Sequence, residues 1–214
     1  MGGRPVKERV ISGPDCIAEG ADWLARREPR FATVLPLLTP LPLRLKPDGF
    51  AELLNAIVGQ QVSTASAAAI WRRLTKAGMT HPQAIASATP EMLQGLGLSR
   101  PKVRYAQALA RADLDYDALR QMPTDAVIAQ LTAVPGIGPW TAEIYAMFSL
   151  GRADVFAAGD LALQEAARLI FELPSRPTAS ALRHMADDWS PWRSVAARIM
   201  WAYYRHDKQK EGIR

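Results

Sequence analysis

Apolar residues along this chain recur at spacings of three and four, and nowhere does an alternating run of Val, Ile or Thr stand between glycine pairs. That spacing gathers them on one face of a helix and does not fit the two-residue period of a half-buried strand. Leu54, Val58, Val62, Ala65 and Ala69 form one such stripe between Gly49 and Lys76, with Ile57 beside it and Asp48 placed to cap its start. The runs at 106–112, 163–171 and 193–205 have the same period. Prolines divide these segments. Pro82, Pro90 and Pro123-Thr124 begin helices, because proline's fixed φ and missing N–H suit a first turn. Pro36, Pro40, Pro42 and Pro47 make 36–47 an extended connector, and LGLSRPK at 96–102 is a turn running into a basic helix start. The expected fold is all-α, with about nine or ten helices.

Composition narrows the function classes. A chain of 214 residues can bury a sizeable core as one domain or two small ones. Its one cysteine, Cys16, leaves no internal disulfide framework, cysteine zinc site or four-cysteine iron–sulfur cluster, and reads as a small semi-buried hydrophobe. His81, His184 and His206 are scattered and suggest no metal site. No apolar run is long enough to span a bilayer, and MGGRPVKERVISG lacks the apolar core of a secretion signal, so a cytoplasmic protein is expected. The net charge of +5 suits a polyanionic partner without requiring one. The terminal KQKEGIR reads as a frayed tail.

The most informative stretch is LTAVPGIGPWTA at 131–142. An apolar helix end runs into Pro135-Gly136-Ile137-Gly138-Pro139, and a new helix starts at Trp140-Thr141-Ala142. Two glycines around one apolar residue permit a tight turn with positive φ, with Ile137 pinned inward. The positive end of the following helix, and the amides there, suit a phosphate oxygen. A plain helix–turn–helix corner is the alternative. Further on, DVFAAGDLAL places Asp160 22 positions after Gly138, where a carboxylate could cap the helix beginning at Leu161 or stabilise positive charge in a reaction.

The full pattern resembles the helix–hairpin–helix of the HhH-GPD superfamily of DNA glycosylases. FAELLNAIVGQQVSTASAAAIWRRL at 50–74 resembles that family's helix and Gly-Gln-Gln loop, and LGLSRPKVRYAQALA its Gly-hydrophobic-Ser-x-x-Lys segment. WSPWRSVAARIMWAYY resembles the closing helix of the AlkA type of 3-methyladenine DNA glycosylase. The likeness covers about residues 48–205. The family's proline in the loop before the aspartate is missing here, where Ala157-Ala158-Gly159 stands.

The resemblance implies two helical lobes with a DNA-binding cleft between them: 1–48 with 153–214 carrying the aspartate, and 49–152 carrying the hairpin. The N-terminal β domain of the AlkA type is not expected in the roughly fifty residues before the first matched helix. Asp160 becomes the catalytic residue, stabilising a cationic sugar and orienting water. Trp140 stands where bifunctional relatives carry a Schiff-base lysine, which implies hydrolysis to an abasic site without strand cleavage. Trp140 and Trp201 match tryptophans of the base pocket, whose electron-rich faces attract cationic alkylated bases. Ile144 and Leu161 replace tyrosines there, giving a more aliphatic pocket. Gln61 is the residue that fills the hole left by a flipped base; Gln60 and Gln61 read equally as hydrogen-bonded interdomain glutamines. Gly136, Gly138, Thr141, Ser63 and Lys102 are implied phosphate contacts. Lys102 with Arg100 and Arg104, and Arg72 with Arg73 and Lys76, are basic clusters that read more readily as solvated faces, with the Lys102 segment near the DNA side in the family. The carbonyls of Thr132, Val134 and Ile137 could hold a structural monovalent cation; no cofactor is otherwise required. The implied partner is double-stranded DNA containing alkylated bases, met by a monomer in a bacterial cytoplasm. Two readings stand beside this one: a glycosylase for another damaged or mismatched base, and a non-catalytic helix–hairpin–helix binding module.

Overall fold

Helix starts follow the prolines. A computed structural model describes residues 8–38, 40–210 and 212. Among these, thirteen α-helices run in order: α1 Pro14–Arg27, α2 Pro29–Val34, α3 Phe50–Gly59, α4 Thr64–Lys76, α5 Pro82–Ser87, α6 Pro90–Gly95, α7 Arg100–Arg111, α8 Tyr116–Gln121, α9 Thr124–Thr132, α10 Pro139–Phe148, α11 Leu161–Ile170, α12 Ala179–Met185 and α13 Arg193–Lys210. Short 3-10 turns occupy Leu35–Leu37 and Ala186–Trp189, and the β content of the described residues is one bridge between Val10 and Arg152. None of the helices among the described residues is long and apolar enough to cross a membrane. The chain is all-α, as its periodicity requires.

The chain divides into two compact units, Lys46–Tyr145 and Met1–Leu45 with Ala146–Arg214. In the first, α3 buries Leu53, Leu54, Ile57 and Val58 completely and packs on α4 and α7. Helices α5 and α6 pack on the other flank of α7 through Ile85 and Leu93. In the second, α13 is the central helix, packed against α1 and α11. Gly20 lets α1 approach α13 closely: a Cβ there would lie 2.7 Å from both the Trp192 ring and Val195. Phe31, Phe156 and Phe171 surround Trp189 with ring centroids 5.2–5.7 Å away. Such pairs each add about 0.5–1.5 kcal/mol beyond the area they bury.

Four expectations are corrected. The stripe between Gly49 and Lys76 is two helices, because Gln61 adopts φ +55° and Ser63 is extended; Val62 is 39% exposed and α4 buries Ile70 and Leu74 instead. Asp48 does not cap α3. Gly49 does, at φ +102°, while Asp48 accepts two hydrogen bonds from Arg120 at 2.6 and 2.8 Å. Thirteen helices exceed the nine or ten expected, since α1, α2, α8 and α12 were not read from the sequence. The KQK of the terminal tail lies in α13 through Lys210, and residues 211, 213 and 214, like 1–7 at the other end, lie outside the described residues.

Candidate active site and nucleic-acid interface

The hairpin in the unit Lys46–Tyr145 joins α9 to α10. The Ile137 amide donates to the Val134 carbonyl at 3.0 Å and the Ala142 amide to the Gly138 carbonyl at 3.1 Å, closing the turn onto the first turn of α10. Ile137 is buried, as its inward role requires. Gly136 takes φ +93°, and any side chain there would strike the Tyr105 ring, whose Cγ lies 2.3 Å from the position of a Cβ. Gly138 instead faces open space, so backbone rather than side chain is presented on that flank. Trp140 is 46% exposed at the start of α10, while Thr141 is buried and Ile144 half-buried.

The loop between α3 and α4 lies beside this hairpin within the same unit. Gln60 Nε2 donates to the Gly136 carbonyl at 2.9 Å, and Gln61 is exposed. Ser63 caps α4, its hydroxyl accepting from the Ser66 amide at 3.2 Å. Lys102 is buried, and its Nζ donates to the Val58 carbonyl at 2.7 Å near the C-terminal end of α3. Burial lowers the Lys102 ammonium below its usual range. An open cavity of about 510 Å³ is lined by Gln60, Gln61, Ser99, Lys102, Tyr105 and Gly136, among others.

The other unit carries the aspartate. Asp160 is the N-cap of α11: its Oδ1 accepts from the amides of Ala162 at 2.9 Å and Leu163 at 3.0 Å. The same oxygen accepts from the indole Nε1 of Trp201 at 3.2 Å. The approach to Asp160 is fixed as well. Gln164 Nε2 donates to the Ala158 carbonyl at 2.9 Å, and Ala157 and Ala158 are fully buried. Upstream, Arg193 grips both oxygens of Asp154 at 2.7 and 3.0 Å, which with Ser190 holds that carboxylate below the usual range against the opposing effect of burial. Ser194 bonds the carbonyls of Arg152 and Val155 from α13. A carboxylate held at a helix start in this way keeps one orientation.

The model of the HhH-GPD superfamily base excision DNA repair proteins matches residues 54–191, which spans both the hairpin and Asp160. The chain belongs to that superfamily. The DNA-3-methyladenine glycosylase 1 of Schizosaccharomyces pombe is 28% identical over 165 residues, covering 73% of this chain and 72% of that protein. A DNA-3-methyladenine glycosidase structure from Bacillus halodurans superposes with a TM-score of 0.80 at 28% identity, covering 96% of this chain and 95% of that one. The S. pombe Mag1 structure in complex with abasic DNA gives 0.75 at 25% identity, covering 87% and 97%. Among longer curated relatives the matched part falls to 33% of the relative's length.

Within this HhH-GPD chain, tertiary structure adds partners that sequence reasoning missed. The indole N–H of Trp201 bonds Asp160, its ring tilts against Phe148 at 5.8 Å, and Arg198 sits over the Phe148 ring at 4.8 Å. Arg198 is buried, bonds the carbonyls of Leu43 and Ser194, and has its pKa pushed down to about 10 by burial and by Arg44. Only the one-turn spacing of Arg198 and Trp201 hinted that they share a helix face. Tyr105 and Lys102 had the corresponding signal, three apart on α7. Leu161 is 63% exposed beside Asp160. At the hairpin, the Val134 carbonyl already accepts the Ile137 amide but retains a lone pair, so the Thr132, Val134 and Ile137 carbonyls suit a hard monovalent cation in donor type. Among the described residues no cluster of three His, Cys, Asp or Glu could hold a metal ion.

Proposed function

We propose that this protein is a monofunctional DNA glycosylase of base excision repair, hydrolysing the N-glycosidic bond of alkylated bases such as 3-methyladenine and leaving an abasic site. The observation that carries the reading is Asp160: a carboxylate fixed by two helix amides and the Trp201 indole, in a chain whose superfamily repairs bases by excision. The names of its relatives supply the substrate class.

The unit Lys46–Tyr145 binds the DNA backbone, with Gly136, Gly138 and Thr141 at the hairpin and Ser63 at the start of α4 as phosphate-side groups, whereas Lys102, buried and committed to the Val58 carbonyl, acts from within the unit. Carbonyls of Thr132, Val134 and Ile137 would hold a monovalent cation that adds positive charge there. Gln61 fills the space vacated by the extruded base, an extrusion that costs a few kcal/mol and less at a damaged pair. The other unit carries the chemistry. An alkylated purine is cationic and leaves readily, so no general acid is needed; as the bond breaks, positive charge grows on the sugar, and the Asp160 carboxylate stabilises it and orients the attacking water. The face of Trp201 attracts the cationic base. Trp140, Ile144 and Leu161 complete the proposed base contacts. Trp140 cannot form the Schiff base that a lysine would, so the reaction stops at hydrolysis. The protein acts as a monomer.

Asp160→Asn is the deciding variant. Asparagine caps a helix as well as aspartate, so the fold and DNA affinity are retained while the charge is lost. Release of 3-methyladenine from methylated duplex DNA is expected to fall by about a hundredfold or more. Unchanged release would remove Asp160 from the mechanism. A wild-type protein that binds duplex DNA but frees no alkylated base would point to another lesion or to a binding module.

A further inference from the structure

Gln61 holds φ +55°, a left-handed conformation that a residue with a Cβ seldom adopts and that persists only where its surroundings impose it. Two side chains brace the segment that leads into it. Gln60 Nε2 reaches the Gly136 carbonyl at 2.9 Å and ties the loop to the hairpin. Lys102 Nζ reaches the Val58 carbonyl at 2.7 Å and ties off the end of α3, three residues before Gln61. A last-turn carbonyl lies at the negative end of its helix and suits a cation, yet such groups are ordinarily capped by glycine, water or an exposed basic side chain. Here the cap is a lysine only 7% exposed, on a different helix. A buried ammonium is a demanding way to end a helix, which argues for a role in placing the loop that follows. The same helix also locates the hairpin: Tyr105, one turn beyond Lys102, fills the space that the missing side chain of Gly136 leaves. Helix α7 thereby fixes loop and hairpin against each other, around the cavity that Gln61 borders.

We propose that Lys102 and Gln60 are positioning residues that preset Gln61 in its left-handed conformation before DNA arrives, so that base extrusion does not also have to order the loop. The inference rests on Gln61 as the residue that replaces the flipped base. The two ties act as one device: they fix the backbone that leads into Gln61, and Gln61 is the part that enters the duplex.

A double-mutant cycle with Lys102→Met and Gln61→Ala tests it, read by single-turnover release of 3-methyladenine and by the fluorescence of 2-aminopurine beside the lesion. Lys102→Met alone is expected to slow extrusion and base release about tenfold and to change release hardly at all once Gln61 is alanine. Binding to undamaged duplex and the unfolding midpoint serve as controls. Equal slowing in both backgrounds would overturn the proposal, since Lys102 would then act without Gln61. A Gln61→Ala protein with normal extrusion would instead overturn the reading of Gln61 itself. Gln60→Met, which cuts the hairpin tie without touching a buried charge, gives the same cycle should Lys102→Met not fold.

Discussion

At the scale of single residues, Asp160 answers two descriptions that the sequence left open as alternatives. It caps α11 through two amides, and it is the carboxylate on which the proposed mechanism rests. These roles reinforce each other, because a group locked at a helix start presents its charge in one direction. Trp201 extends the lock. Replacing it with phenylalanine removes the indole N–H and keeps an aromatic face. A hydrogen bond to a charged group contributes about 1.5–3 kcal/mol net, and the Ala162 and Leu163 amides remain, so Trp201→Phe is expected to lower single-turnover release by about three- to tenfold. Affinity for lesion-containing DNA should change less, since the ring face is preserved. An unaltered rate would show that the indole N–H does not orient Asp160.

At the scale of elements, what could be read in advance followed the chemistry of helix starts. Pro82 and Pro90 mark the first residues of α5 and α6, and LGLSRPK turns into α7 at Arg100, as expected, because proline acts locally. The missed helices carry start signals too, Pro29 in α2, Asp115 before α8 and Thr178 before α12, but no periodic stripe follows them. Helices α2, α8 and α12 are only six or seven residues long and persist through packing, too short for a periodic stripe to form. The start of α3 shows tertiary structure overriding a local signal: Gly49 replaces Asp48 as the cap, and its amide donates to the Tyr145 hydroxyl on α10 at 2.7 Å. Burial pushes the Tyr145 hydroxyl up to about 12. Its unfolded counterpart ionises near 10, so the folded state holds the proton more tightly. That contribution to stability is fully present below pH 10 and is lost as pH rises through about 12. Denaturant unfolding at rising alkaline pH should therefore show the wild type losing stability more steeply than Tyr145→Phe. Parallel decline of the two would contradict the assignment. Tyr116, raised in the same direction by burial, remains in both proteins.

At the scale of the whole molecule, the charge of +5 is the sum of 26 basic and 21 acidic residues and by itself names no partner. Its placement gives it meaning. Arg100 and Arg104 remain exposed on α7, the helix that also fixes the hairpin and the loop of Gln61, whereas Lys102 between them is buried. Each phosphate neutralised contributes about −0.9 to the slope of log affinity against log salt. Arg100→Ala with Arg104→Ala is expected to shallow that slope by nearly two and to weaken binding alike on damaged and undamaged duplex, measurable by fluorescence anisotropy across a salt series. An unchanged slope would make them a solvated face.

The sequence by itself determined the helical class, most helix starts, the hairpin and the position of Asp160, because each depends on residues close together in the chain: a three-to-four period, a proline at a first turn, a Gly-Ile-Gly corner, a carboxylate before a helix. Tertiary structure alone decided which polar groups meet. The bond from Trp201 to Asp160 joins residues 41 apart, that from Gln60 to Gly136 residues 76 apart, and that from Lys102 to Val58 residues 44 apart. No local pattern specifies such pairings, since they arise only when packed helices bring distant donors to buried acceptors that must be satisfied.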